Sequence, residues 1–389
     1  MFPVDPQLQD WLSDTRRYFH RHPEISHQEK RTTQKIIEIL KDLNIDTRPL
    51  EDMTGAIGLI EGKSKGLTIA LRADIDALPI QELGDVEYAS QNTGVMHACG
   101  HDANTAIMLG VAKTLMESGR HKDLKGNVKF LFQPAEERGA GAKAMIERGA
   151  LENPRVDRII AGHMSPDLPA GKVGIFRGLG YASADRFNLV ITGKGAHGAR
   201  PEEGNDPIVA GAQFVSGIQS IVARNIKPTE AAVITVGKFN SGAAENVIPE
   251  SAHLAGSIRA LSPDIRLKVH QRLAEFAAGL EKSFHVRCEL NILEGVPTLE
   301  NDIEVAEFLF EVSQSVLGAE HVQYLPPIMG SEDFSYFTLE RPSAIMRLGC
   351  SNPEKGFTAR LHSPHFDIDE QVLGVGTAIF STVVLQYLS

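Results

Sequence analysis

The segment Met96-His97-Ala98-Cys99-Gly100-His101-Asp102 sets a thiol and an imidazole two residues apart. Sulfur and imidazole donors together suit zinc or another borderline divalent ion. The same pair also fits a Cys99 nucleophile with His101 as its base. Further metal-type donors stand elsewhere: Glu137 beside Glu136, His163 after an apolar run, and two more imidazoles in Leu361-His362-Ser363-Pro364-His365. These favour the metal reading of Cys99 over the nucleophile. Spacing alone leaves His362 and His365 equivalent. Cys99, His101, Glu137, His163 and one of that pair make five donors, too many for one tetrahedral ion and suited to two ions sharing a bridge.

These donors need elements to bring them together. Apolar runs at 67–71, 128–132 and 158–161 read as buried strands. Each leads into a polar cluster, at 72–76, 133–137 and 162–163 respectively. Ligands in open α/β sheets sit beyond the carboxyl ends of strands, so the clusters are expected to converge on one crevice. Helical patterns at 8–22, 29–43 and 104–118 alternate with these strands. The fold class that follows is α/β, a mostly parallel sheet covered by helices on both faces.

The middle of the chain has a different order. Strands at 186–192, 232–239, 252–261 and 285–293 enclose helices that begin at Asp206-Pro207 and Ser262-Pro263, where each pair supplies an N-cap and a first-turn proline. That sequence is βαββαβ, the ferredoxin-like unit. A helix at 303–317, a strand at 344–348 and a helix at 370–388 then resume the first pattern. The chain therefore reads as one α/β domain in two parts, 1–185 and 299–389, interrupted by an inserted unit at 186–298.

Composition narrows the function classes. Over 389 residues the formal charge is −11 and no basic run stands out, which argues against a nucleic-acid partner. No apolar run approaches the ~18 residues of a membrane span. The N-terminus lacks the charged and apolar regions of a secretory leader, so the cytoplasm is the expected compartment. Cys99, Cys288 and Cys350 are the only cysteines, odd in number and far apart, which argues against a disulfide framework. Cys288 and Cys350 read as small buried hydrophobes.

Other segments join these motifs: Arg17 to Glu24 with a His-x-x-Pro-Glu pattern (His20, Pro23, Glu24), 72–79, Gly195-Ala196-His197, Asn246-Val247-Ile248-Pro249, Arg259, 330–337 and 362–367. With them the chain resembles, along nearly its whole length, the metal-dependent amidohydrolases of the peptidase M20 family. Its Cys-Gly-His-Asp form resembles subfamily D, which includes hippurate hydrolases, N-acetyl-diaminopimelate deacetylases and auxin-conjugate hydrolases. The resemblance implies metal ligands at Cys99, His101, Glu137, His163 and His362, holding two divalent ions (zinc, manganese, nickel or cobalt). It makes Glu136 the general base, which takes a proton from the attacking water and hands it to the leaving amine. Asp76 becomes an orienting residue behind a ligand, and Asp74 a structural one. The inserted unit becomes a lid and dimerisation domain. Its His197 resembles the residue that, in family dimers, reaches the neighbouring active site and steadies the oxyanion. Asn246 and Arg259 resemble substrate contacts, the latter suited to a bidentate grip on a carboxylate.

Two departures from that branch stand out. Asn104 replaces a common histidine, and Met164-Ser165 replaces a bulky apolar-aromatic pair, a change expected to reshape the acyl pocket. The implied activity is hydrolysis of N-acyl amino acids or related amide conjugates. The alternatives are a dipeptidase or carboxypeptidase on the same scaffold and, from another class, a non-catalytic metal-binding protein.

Overall fold

A computed structural model describes residues 5–389. Met1 to Val4, part of the stretch read above for a secretory leader, lie outside the described residues. The described residues form two compact units, one of 5–180, 300–326 and 333–389, the other of 181–299 and 327–332.

The first unit is built on an eight-stranded sheet. Its centre is four parallel strands in the order Lys125–Gln133, Ser64–Asp74, Arg158–Pro169 and Ser343–Ser351. Residues 68–74 of the second and 343–350 of the fourth are buried without interruption, as both covered faces require. Ala56–Glu61 and Asp46–Pro49 extend the sheet antiparallel on one side. Val173–Phe176 joins Ser343–Ser351 antiparallel on the other, and Val322–Leu325 closes that edge. Three of these flanking strands have only four residues each, whereas Ala56–Glu61 has six and is mostly buried. Helices Pro6–Arg21, His101–Glu117 and Gln371–Tyr387 pack against one another, and the middle one is buried along most of its length.

Two expected boundaries move. The helix expected from residue 104 begins at His101, because Gly100 adopts the left-handed conformation (φ 83°) and turns the chain into it. A Cβ on Gly100 would also lie 2.6 Å from Met164 Cγ. The strand expected to end at residue 161 runs on through His163, since its parallel partner continues the ladder with Arg347 opposite His163.

The second unit is an antiparallel sheet in the order Ala232–Ser241, Ser251–Ala260, Ser183–Thr192, Arg287–Val296. Along Ser183–Thr192 buried and less buried residues alternate strictly, the pattern of a sheet with one face covered. Phe187, Leu189 and Ile191 point into a core shared with Phe214 of helix Pro207–Gly217 and Val269 and Leu273 of helix Pro263–Phe284. Asp206 and Ser262 cap those helices through their side-chain oxygens, as their sequence positions suggest. Cys350 is buried as expected, whereas Cys288 is only partly so, because the strand it opens lies at the edge of this sheet. Among the described residues no helix is long and apolar enough to cross a membrane.

Candidate metal centre

Cys99 and His101 flank the left-handed turn at Gly100, and His163 lies in the adjoining strand. Cys99 Sγ is 3.5 Å from His163 Nε2. The rings are fixed from behind. His101 Nδ1 is 2.9 Å from the Asp76 carbonyl and 3.2 Å from its Oδ1, and His163 Nδ1 is 2.9 Å from the Met164 carbonyl. A carbonyl can only accept, so each Nδ1 carries a hydrogen and each ring directs its Nε2 toward the cluster, where a neutral ring would present a lone pair to a cation. His101 Nε2 is buried and makes no hydrogen bond, with Asp74 Oδ2 at 3.7 Å.

The two glutamates leave the strand Lys125–Gln133 through a tight turn. Glu137 N donates to Asp76 Oδ2 (3.1 Å), and Glu137 Oε1 lies 3.5 Å from His362 Nε2. His362 has φ 64°, an uncommon conformation for a non-glycine residue, and its N–H donates to the Ala98 carbonyl (2.8 Å). The donor atoms form sets within 4.8 Å of one another: Cys99 with His101 and His163, Cys99 with Glu137 and His362, and His101 with Glu136 and Glu137. Cys99 belongs to the first two sets. His365, exposed three residues on, joins none of these sets among the described residues.

The electrostatics fit a cation site. Burial, and then the neighbouring Glu137 carboxylate, push the Cys99 thiol well above its ordinary value against the pull of His101. A thiol so held is a poor nucleophile by itself and becomes a thiolate readily only beside a cation. Burial opposes charge on His101, but Asp74 and Cys99 outweigh it and raise that ring's pKa. Burial lowers His163 to about 3. Contact with Glu137 raises His362, with burial opposing. A thiol and a carboxylate, an orphaned imidazole nitrogen and fixed ring orientations are what a divalent ion would complete.

Around this cluster lies a buried polar frame. Arg72 donates to Gln133 Oε1 (2.8 Å), Asp74 Oδ2 (2.7 Å) and Asp333 Oδ1 (3.0 Å). Asp333 also accepts from Gln133 Nε2 (2.8 Å) and Ala142 N (3.0 Å), and its own N–H makes a long bond to Glu136 Oε1 (3.4 Å). Asn104 Nδ2 donates to Asp74 Oδ1 (2.7 Å), so the residue that departs from its branch serves the carboxylate beside His101. The Met164 side chain is fully buried beneath Gly100, and Ser165 is 3 % exposed.

His197, Asn246 and Arg259 belong to the second unit. Ala196–His197 and Val247–Ile248 pair as a two-stranded ribbon, with His197 opposite Val247. The Asn246 carbonyl accepts from Gly198 N (2.8 Å), so His197 and Asn246 share one exposed ribbon. His197 Nδ1 accepts from Ala199 N (3.0 Å), which leaves its Nε2 as the free donor of a neutral ring. Arg259 stands on a separate strand, Ser251–Ala260, half-buried, with Nη1 enclosed and without a hydrogen-bond partner.

The family model for peptidase family M20/M25/M40 matches residues 70–386. The chain belongs to this family. It is 38% identical to N-acetylcysteine deacetylase of Bacillus subtilis over 387 residues, 98% of each chain. It is 36% identical over 386 residues to thermostable carboxypeptidase 2 of Saccharolobus solfataricus, covering 98% of this chain and 96% of that one. A solved Bacillus subtilis structure, described as a dinuclear metal binding peptidase from the M20 family, superposes with a TM-score of 0.85 at 34% identity over 99% of each chain. As an M20 family member the chain is an amide hydrolase. The role of the Arg72–Gln133–Asp333 frame is not legible in the sequence, although 72–79 and 330–337 are M20-like segments. No local signal marks Arg72 as buried, since it opens the polar cluster that follows the apolar run 67–71.

Proposed function

We propose that this chain hydrolyses the amide bond of N-acyl amino acids or related amide conjugates, releasing a carboxylate and a free amino acid. Cys99, His101, Glu137, His163 and His362 would hold two divalent ions. The observation that carries the reading is that Cys99 is common to two donor sets, with Glu136 within reach of the same cluster. Cys99 would be available to both donor sets, and the mixed sulfur, imidazole and carboxylate donors would suit zinc, manganese, nickel or cobalt. Bound there, the ions would polarise the amide carbonyl and acidify a water molecule.

Glu136 takes the proton of the attacking water and delivers it to the leaving nitrogen, so that a neutral amine departs. Asp76 holds His101 and the Glu137 backbone in place. The second unit acts as a lid and dimerisation domain of a cytoplasmic homodimer. In a two-fold dimer, His197 of one subunit donates from Nε2 to the oxyanion at the other. Asn246 contacts substrate on the same ribbon, and Arg259, with an unpartnered guanidinium nitrogen, grips the carboxylate of the amino acid.

Likeness to an N-acetylcysteine deacetylase supports an acyl amino acid substrate, and likeness to a carboxypeptidase supports a peptide as the second reading. Metal-loaded protein assayed on N-acetyl and N-benzoyl amino acids beside free-amine dipeptides separates them. Faster hydrolysis of the acyl amino acids is expected. Turnover of dipeptides alone establishes the second reading, and turnover of neither leaves a metal-binding protein without this activity.

A further inference from the structure

Glu29 lies far in sequence from every residue assigned above and is fully buried. It precedes helix Lys30–Asp42 at the N-cap position, yet its carboxylate caps nothing there. Oε1 instead accepts from the Ala135 N–H (2.9 Å), and Oε2 accepts from the Thr54 hydroxyl (2.6 Å). Ala135 immediately precedes Glu136, is itself fully buried, and has φ 54° and ψ 37°. That left-handed conformation is unfavourable for alanine, so something must hold it.

The surroundings are fitted to this turn. Gly55 (φ 95°) approaches so closely that a Cβ would lie 2.7 Å from Pro134 Cδ, and one on Gly141 would lie 1.6 Å from the Pro134 carbonyl oxygen. The Gly55 N–H donates to Thr33 Oγ1 (2.8 Å), tying the same buttress to helix Lys30–Asp42. On the far side of the turn, Glu137 N is held by Asp76.

We propose that Glu29 is a positioning residue of the hydrolytic site: by holding the Ala135 amide it keeps this left-handed turn and so directs Glu136 and Glu137 to different tasks. This rests on the functional reading above and deepens it. Glu136, Glu137 and His101 already lie within 4.8 Å of one another, so a turn released from Glu29 lets Glu136 compete for the cation instead of standing off as the base. Glu29 supplies no proton and touches no substrate.

The test uses Glu29→Leu, Glu29→Gln and Ala135→Gly in the full-length protein. Glutamine can still accept from Ala135 N and can donate to the Thr54 hydroxyl, and glycine adopts the left-handed turn without cost. Glu29→Leu should lower kcat and the affinity for titrated cobalt(II) by about 10- to 100-fold, with KM little changed. Glu29→Gln should stay near wild type, and Ala135→Gly should recover most of the loss when added to Glu29→Leu. In metal-free protein, amide hydrogen exchange across 134–139 should rise in Glu29→Leu and not in Glu29→Gln.

Unchanged cobalt affinity, kcat and exchange in Glu29→Leu overturn the proposal. So does a loss that Glu29→Gln shares equally or Ala135→Gly fails to relieve, since either marks Glu29 as packing alone. Failure of the functional reading is separate: it appears in the wild type, as absent cobalt binding or absent amide hydrolysis, while the exchange measurement still reports on Glu29.

Discussion

The two sheets face opposite burial problems. In the first unit the parallel strands are covered on both faces, so charge that enters must be paired; Arg72, Asp74 and Asp333 are all buried and bonded to one another or to amides. In the second unit one face of the antiparallel sheet carries the core, and His197 and Asn246 sit on an exposed ribbon. The first arrangement orients His101 and His163 before any ligand arrives, since a carbonyl holds each Nδ1. The second leaves its polar groups to be completed by another surface. Chemistry demanding fixed geometry is therefore expected in the first unit, and contacts made on substrate binding or assembly in the second.

The largest effect should come from emptying the first unit's donor set. Chelation is expected to abolish hydrolysis, and added zinc, manganese, nickel or cobalt to restore it, with up to two ions per chain found by elemental analysis. If alkylating the thiols of metal-free protein removes an activity that chelation spares, Cys99 is a nucleophile and the comparison breaks at its first unit.

Next comes Glu136→Gln, which keeps size and polarity but cannot take a proton. A fall in kcat of about 10² to 10⁴ with metal content intact is expected. Metal loss equal to that of Glu137→Ala would make Glu136 a ligand.

Substitutions in the second unit should leave the metal untouched. His197→Ala is expected to lower kcat by about 10² to 10³, the usual cost of one oxyanion donor. Mixing it with Glu136→Gln subunits should regenerate activity, because a hybrid site then holds both intact residues from opposite chains. No recovery in subunits shown to exchange would return His197 to its own chain. Arg259→Met should raise KM by roughly tenfold, as a charged hydrogen bond is lost, with kcat and metal content held. An unchanged KM removes Arg259 from the substrate site.

The smallest effect concerns stability. Asp185 accepts from Arg266 (2.8 and 2.5 Å), Gly295 N (2.9 Å) and His270 (2.8 Å). Burial raises its pKa, but these partners outweigh it and hold the carboxyl below its ordinary value. A depressed carboxyl stabilises the fold above its unfolded pKa of about 4 and loses that contribution as pH falls through the lower folded value. The gap in Tm between wild type and Asp185→Asn should therefore be present at neutral pH and close as pH falls below about 4. A constant gap would assign the stabilisation to packing instead.

The sequence by itself determined the order of the central strands and main helices, the donor types and the family. Apolar runs ending in acids and histidines, and caps at Asp206 and Ser262, are local signals, because periodicity and capping depend on neighbouring residues alone. Flanking strands of four residues carry little pattern, whereas Ala56–Glu61 is an apolar run that periodicity alone does not place in the sheet. Tertiary structure decided what lies behind each donor. Spacing could not choose between His362 and His365; a left-handed backbone at His362 turns its ring to Glu137 and leaves His365 outside. Nor could it reveal that Asn104 serves Asp74, that Met164 is core, or that Glu29 reaches across 106 positions to the turn before Glu136. Those pairings are set by which strands lie side by side, and a hydrogen bond between residues distant in the chain leaves no trace in the local pattern of either.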